Sequence, residues 1–339
     1  MTTSQSTSPV LQDGIKRGSS PLEPTAPPTG GGEAPAGRTE FFTRSSSAAI
    51  APAARHASGH LARFARNQPL GAAAAAFLLL LLCAGVFAPY VAPYHPLDTN
   101  YDAILSGPSW QHWMGTDEYG RDIFSRILYG ARTALMLAVS ASLLGCSLGA
   151  AIGMSSAYFG GGFDTTVQRL MDIMLAIPGI VFAMVIAAVL GRNMMFGLDV
   201  NLVLAVAIPG IPNVARVLRS AALSVRAMPY VDAAAAAGFS RSRIIFGHMA
   251  PNLVAPWLVL ISAFAAQAIL LESALSFLGI GVVEPTPAWG LMLTGMGTQL
   301  FVEAPWLVIF PGLAVSITVF AFSLLGDALR DFLDPRLRV

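Results

Sequence analysis

The stretch "MGTDEYGRDIFSRILYGAR", Met114 to Arg132, is where carboxylates and cations lie densest, and Asp117 with Asp122 offers an acid pair. Paired-carboxylate catalysis needs two acids that converge on one point, and five residues apart on a helix these diverge by more than a right angle. Each acid is instead followed at i+4 by an arginine, Arg121 and Arg126. That spacing sets opposite charges side by side on a helix and adds about 0.2–0.5 kcal/mol per pair. The expectation is a salt-bridged amphipathic helix leading into an apolar run, not an acid–base site.

Other reactive types give less. None of His56, His60, His95, His112 and His248 forms an HExxH pair, so the common zinc hydrolases are excluded. Cys83 and Cys146 lie in apolar runs without a partner at metal-ligand or CxxC spacing and read as buried thiols, and no metal site is expected. "GMSSA", Gly153 to Ala157, has the outline of a nucleophile elbow, but Ala157 stands where the second glycine belongs. Lys16 is the only lysine and follows Ile15, so no GxxxxGK[ST] phosphate loop exists in the chain. No catalytic residue is assigned, and ATP-driven work by this chain requires a partner.

Glu272, in "ILLESALSFLGIG", is the one acid inside a long apolar run. A carboxylate at the bilayer centre costs about 2.5–3.5 kcal/mol on insertion scales, so it should face the protein interior, a partner or a water-filled path. Contact with a transported solute and a tie between helices both stay open, with the tie favoured.

The elements that position these groups follow from hydropathy. The sequence is 55% hydrophobic and 12% charged, too apolar for a soluble domain of this length. A transmembrane helix needs about 20 apolar residues to cross roughly 30 Å of hydrocarbon. Six runs approach or exceed that: Pro69–Ala88, Thr133–Tyr158, Ile173–Leu190, Val200–Ala215, Asn252 to about Val283, and Pro305–Gly326. The predicted fold is therefore all-α, a polytopic membrane protein with six transmembrane helices. Pro209, Pro212 and Asn213 interrupt the fourth run, and prolines there free backbone carbonyls, so Pro209 and Pro212 should face protein or an aqueous path. The first run has a signal-peptide alternative, with Val86 to Ala88 as cleavage site, but the long tail before it and Pro89 after it favour a retained helix.

Residues 1–60 are rich in Ser, Thr, Pro, Gly and Ala and are expected to be a disordered cytoplasmic tail. Residues 61–130 then hold the first helix and an extracytoplasmic segment, 131–326 the core, and 327–339 a C-terminal tail. Sixteen of the twenty Lys and Arg residues fall in the N-terminal tail, residues 159–172, residues 216–251 and the C-terminus. The positive-inside rule puts those parts and both termini in the cytoplasm, with 89–130 and 284–304 outside.

One cytoplasmic stretch stands apart, "YVDAAAAAGFSRSRIIFGHMAPN", Tyr230 to Asn252. Pro229 suits a first helical turn, Asp232 complements the helix dipole, and Ala233 to Ala237 favour helix. Gly238 supplies a left-handed stop, Ser240 can cap a second helix, and Pro251 should stop that helix before the fifth span. The predicted result is two short helices around a glycine turn, with a small-residue face open to another protein. A DNA-binding helix-turn-helix would also fit "AAAAAGFSRSRII", but the space between spans is too short for such a domain, and no nucleic-acid partner is expected.

At this point the sequence resembles the "EAA" loop of membrane subunits of binding-protein-dependent ABC importers: EAA, three residues, Gly, nine residues, then I-x-L-P. Asp232, Ala233, Ala234, Gly238 and Pro251 fall at matching positions, with Asp for Glu, His248 for Ile and Ala250 for Leu. "IPGIPNVARVLRS", "ESALSFLGIG", "TPAWG", "APW", "GDALRDFLDPRLR" and "GTDEYGRDIFSRILYGAR" are similar to the C-type permease of dipeptide, oligopeptide and nickel importers, over roughly residues 61–339.

The resemblance implies a non-catalytic, multi-pass subunit of a prokaryotic cytoplasmic (inner) membrane. It implies pairing with a second homologous permease, two ABC ATPase subunits or one fused ATPase, and an extracytoplasmic solute-binding protein. No cofactor is expected on this chain; ATP and Mg would be used by the ATPase subunits. Tyr230, Asp232, Ala233, Ala234, Gly238, Ser240, Arg241 and Pro251 become candidates for the ATPase-coupling loop, 229–251. Glu272, Pro209 and Pro212 become candidates for the translocation path or interhelix polar contacts. Di- or oligopeptides are the expected cargo. Nickel or another small solute such as glutathione is the alternative, and a secondary transporter is disfavoured because one intramembrane acid is too few for ion coupling.

Overall fold

The computed structural model describes residues 64–195, 197–294 and 300–333. The tail expected at 1–60 and residues 334–339 lie outside the described residues. The described chain is mainly helical with almost no strand, the arrangement that satisfies backbone polar groups within each segment when no water is at hand.

In chain order the principal elements are α1 (Pro69–Val86), α2 (Ile123–Phe159), α3 (Gly161–Leu175), α4 (Gly179–Leu190) and α5 (Val200–Ala207). A 3-10 turn at Ile208–Gly210 leads into α6 (Ile211–Arg226), followed by α7 (Pro229–Ala236) and α8 (Arg241–Arg243). A π turn at Ile244–Met249 leads into α9 (Ala250–Phe277), and α10 (Trp289–Met292) and α11 (Trp306–Leu333) complete the set. A two-residue hairpin pairs Met194–Met195 with Leu198–Asp199.

Among the described residues five segments are long and apolar enough to cross a membrane: α1, α2, α5 with α6, α8 with α9, and α11. A sixth exists if α3 and α4, bent by 90° between them, count as one span. The third apolar run, expected as one helix over Ile173–Leu190, is therefore broken. Pro178, which has no N–H to donate and pushes the residue before it out of the helical region, starts α4 as its N-cap.

Four other expectations change. Residues 114–122 form turns and not a helix, and α2 begins at Ile123, where the Asp122 side chain caps the Ser125 N–H at 2.8 Å. With 37 residues α2 is roughly 55 Å long, well beyond the predicted Thr133–Tyr158 and beyond the hydrocarbon thickness. The fourth span does not end at Ala215 but runs to Arg226; the 3-10 turn absorbs Pro209, and Pro212 falls in the first turn of α6, where no intrahelical N–H is needed. Pro251 does not stop a helix either. It lies in the first turn of α9, and the π turn before it carries the chain on without a break.

The centre of the molecule is the packing of α2 on α5 and α6. Gly145, Gly149 and Gly153, at i, i+4 and i+8, share one face of α2. A β-carbon at Gly149 would come within 2.8 Å of Val214, and one at Gly153 would run into the backbone of Ala215 and Arg219. Small residues there let two backbones approach, which is how helices gain contact where lipid supplies no hydrophobic drive. On the other side α1 and α11 lie together, with Phe64 edge-on to Phe332 at 5.3 Å. The two ends of the described chain therefore meet at one end of the molecule.

Candidate functional site

The end of the molecule carrying α7 is built as an outward-facing shelf. Val231 and Ala234 turn inward onto an apolar cluster that includes Met154, Ala157, Val225, Ile244 and Met249. Asp232, Ala233, Ala235 and Ala236 stay exposed. Gly238, at φ +77°, closes the helix: its N–H reaches the Ala235 carbonyl at 3.0 Å and the Phe239 N–H reaches Ala234 at 3.2 Å. This pair of bonds is the Schellman closure, which needs a left-handed residue at that position.

The turn is then tied to the span that follows. The Phe239 ring stacks on His248 with centroids 5.4 Å apart and planes 5° from parallel, and the Arg243 guanidinium lies 4.3 Å from the Phe239 centroid. The Tyr230 hydroxyl accepts a bond from Asn252 Nδ2 at 2.9 Å, and the same nitrogen donates to the His248 carbonyl at 2.9 Å. Arg241 approaches the Phe159 ring at 5.7 Å. Ser240 occupies the N-cap position of α8 without a side-chain cap bond, so backbone geometry alone starts that helix.

Of the residues expected at a partner contact, Tyr230, Asp232, Ala233, Gly238, Ser240, Arg241 and Pro251 are exposed. Ala234 is buried, and its part is to seat α7 on this subunit. Two ion pairs not anticipated from sequence brace the same end. Arg219 of α6 grips Asp164 of α3 through two nitrogens, and Arg216 bonds Asp172. Their members lie 55 and 44 residues apart, which no local spacing rule reaches.

The opposite end is a closed cap. Arg121 bonds Asp117 at 2.6 Å and Glu284 at 3.2 Å, while Arg126, 2% exposed at its side chain, bonds Glu284 at 3.1 Å. Burial acts to lower the Arg121 pKa, but the Asp117 and Glu284 carboxylates outweigh it and hold the guanidinium above its ordinary value. Asp122 does not pair with Arg126 as the spacing suggested; it takes His112 Nδ1 at 3.0 Å and the Ser125 hydroxyl at 2.7 Å. Because Ser125 donates to the acid and not to the imidazole, the three residues form a helix cap and not a nucleophile–base relay. Trp289 donates to the Ile127 carbonyl at 3.0 Å and Trp306 to that of Thr116 at 3.2 Å, which pins α10 to α2 and the start of α11 to the turns before α2.

Between the two ends, Glu272 is buried and accepts the Ser276 hydroxyl at 2.7 Å; Ser276 Oγ in turn accepts the Val282 N–H at 3.0 Å. Arg192 then holds the Gly281 carbonyl at 3.2 Å. Glu272 thus ties the end of α9 to the turn after it. Pro209 instead lines a cavity of about 400 Å3 between α4, the 3-10 turn with α6, and α9, shared with Asn213, Phe264 and Gln267. Pro212 is buried and is not among the residues lining it. Among the described residues no group of three His, Cys, Asp or Glu side chains is placed to hold a metal.

Fold and site together define a class: an all-helical, polytopic membrane protein whose polar side chains brace helices and present a shelf. Residues 148–339 match the family of binding-protein-dependent transport system inner membrane components, and residues 60–108 match the N-terminal transmembrane domain of oligopeptide transport permease C. The chain is 41% identical to a putative peptide transport system permease protein of Brucella suis biovar 1 (strain 1330), over 77% of this chain and 86% of that one. It is 39% identical to the glutathione transport system permease protein GsiD of Pectobacterium atrosepticum, covering 81% and 90% of the two chains. It is 40% identical to the dipeptide transport system permease protein DppC of Alkalihalophilus pseudofirmus, covering 75% and 81%. This chain belongs to the family of binding-protein-dependent transport system inner membrane components. It is a non-catalytic permease subunit, integral to the inner membrane, of an ABC transport complex with other subunits.

Proposed function

We propose that the chain is the C-type permease of an ABC importer for di- or oligopeptides. It forms the translocation path with a second homologous permease and is served by an extracytoplasmic solute-binding protein. Both termini and the α7 shelf lie in the cytoplasm, and the Arg121–Glu284 cap faces outward. Residues 229–251 act as the coupling loop, of the EAA type, for two ABC ATPase subunits or one fused ATPase, which bind and hydrolyse MgATP.

The observation that carries this reading is the shelf itself. α7 exposes Asp232 and Ala233 while Val231 and Ala234 root it in the cluster shared with α2, α6 and α9. A body so rooted moves with its spans, so a push on the exposed face becomes rigid-body rocking of the membrane helices. The peptide cargo is supported by relatives named for peptide, dipeptide and glutathione transport, the last being itself a tripeptide.

Co-purification of the chain with its ATPase subunits, and uptake of a labelled dipeptide by cells carrying the full system, test the proposal. Gly238→Arg should weaken the association and abolish uptake. Intact assembly and undiminished uptake in that variant would remove the docking assignment.

A further inference from the structure

The cavity between α4, α6 and α9 contains two side-chain amides and no charge. Asn213 and Gln267 are its only lining residues with polar side chains; the rest, such as Ile180, Phe264 and Leu270, are apolar or small. Both amides are exposed, and neither has a side-chain hydrogen-bond partner among the described residues.

Their depth gives this meaning. Asn213 lies thirteen residues from each end of the helix Val200–Arg226, and Gln267 lies ten residues, about 15 Å, before the end of α9 at Phe277. Both therefore sit well inside a span of roughly 30 Å. An unpaired amide facing hydrocarbon at that depth costs several kcal/mol, so lipid is not what covers these groups. Each offers an acceptor oxygen and an NH2 donor, the complement of a peptide group's N–H and C=O. With no carboxylate, imidazole or thiolate in the lining, the cavity lacks the ligands that a bare transition-metal ion favours.

We propose that Asn213 and Gln267 form an uncharged, amide-binding waist halfway along the translocation path, which hydrogen-bonds the backbone of a passing peptide and leaves side-chain charge unread. The site rests on the peptide-permease reading above. Its open side, flanked by Ile180 and Leu270 at 39% and 51% exposure, is where the second permease completes the wall. Pro209, in the 3-10 turn four residues before Asn213, lines the same cavity.

The test uses the complete transporter, with both permeases, ATPases and binding protein, reconstituted in vesicles. Uptake of a dipeptide is compared with uptake of the same dipeptide N-methylated at its peptide bond, for the wild type, Asn213→Leu and Gln267→Met. Discrimination by the binding protein is common to all three and cancels. The ratio of the two rates should fall by about tenfold in each variant, the value of one lost hydrogen bond, and should recover in Gln267→Asn. Because a ratio is read, reduced yield of a variant does not mimic the effect. An unchanged ratio, whether with normal rates or with both rates lowered through weaker assembly, would overturn the waist and assign the amides to helix–helix contact with the second permease. Failure of the wild type to take up any peptide would instead overturn the peptide-permease reading.

Discussion

The two ends of this molecule use the same residue types in opposite ways. At the cap, Arg121 and Arg126 are buried and each is spent on carboxylates within the chain, Asp117 and Glu284. At the shelf, Arg241 and Arg243 are exposed and rest on aromatic faces, Phe159 and Phe239, with no carboxylate partner among the described residues. A balanced quartet with three buried members and a half-exposed Glu284 fixes geometry and is less screened by salt than a surface pair. Exposed cations over rings hold a surface in shape while leaving its charge available. One end is therefore a clamp and the other the proposed docking face, and the long helices α2 and α9 connect them.

The largest test of that contrast is Arg126→Ala. It removes a fully buried cation and leaves Asp117 with one partner, so a loss of about 3–5 kcal/mol is expected, read by thermal unfolding of the detergent-solubilised protein. Glu284→Gln should cost less, because Glu284 is 46% exposed and water can reach its arginine partners. Equal losses for the two would mean the cap is not a closed cluster.

Gly238→Ala comes next. A β-carbon at Gly238 meets nothing within 4 Å, so the cost is only that of a left-handed alanine, about 1–2 kcal/mol. Its stability should fall by that amount while ATPase association persists, whereas Gly238→Arg should lose association as well. If both variants assemble alike, bulk at the turn does not matter and the face is not where a partner docks.

How much of this was legible in the sequence depends on how far a signal reaches. The spans, the alanine helix and the glycine stop follow from local hydropathy and backbone preference, and Gly238 with its Schellman closure sits where the string "AAAAAGF" puts it. The i,i+4 rule found the Asp117–Arg121 pair, although a turn and not a helix brings them together. It failed for Asp122, which His112 and the start of α2 claim first. Glu284, 158 residues from Arg126, had no local mark at all. Pro178 and Pro251 show the same limit from the other side. Each is a breaker by type and each stands at a helix start, but Pro178 follows a 90° bend while Pro251 is entered without a break, and only the neighbours decide which. The Gly145, Gly149, Gly153 stripe has small-xxx-small spacing, but hydropathy alone marks the run around it as a span without saying which face packs.

A smaller effect separates the bracing under the shelf from the cap. Asp164→Asn weakens a two-nitrogen grip by Arg219, whose side chain is 29% exposed against 2% for Arg126. A loss of up to about 1 kcal/mol is expected, and unlike the cap variants it should shrink in high salt. A loss that matched Arg126→Ala and ignored salt would make the two ends alike.

The smallest expected change in stability is that of Tyr230→Phe, and it asks the sharpest question about the docking face. The hydroxyl accepts from Asn252 Nδ2, which keeps its bond to the His248 carbonyl when the hydroxyl is removed. No buried donor is stranded, so the stability change should be no more than about 0.5 kcal/mol. Yet the bond joins the first turn of α7 to the start of α9, alongside the Phe239–His248 stack. If the shelf transmits force as one body, losing one of these two ties should lower uptake per ATP hydrolysed in the intact transporter while unfolding stays put. Uptake and ATP hydrolysis that keep their wild-type ratio would show that the apolar roots at Val231 and Ala234 are sufficient, and that the polar ties only trim the surface.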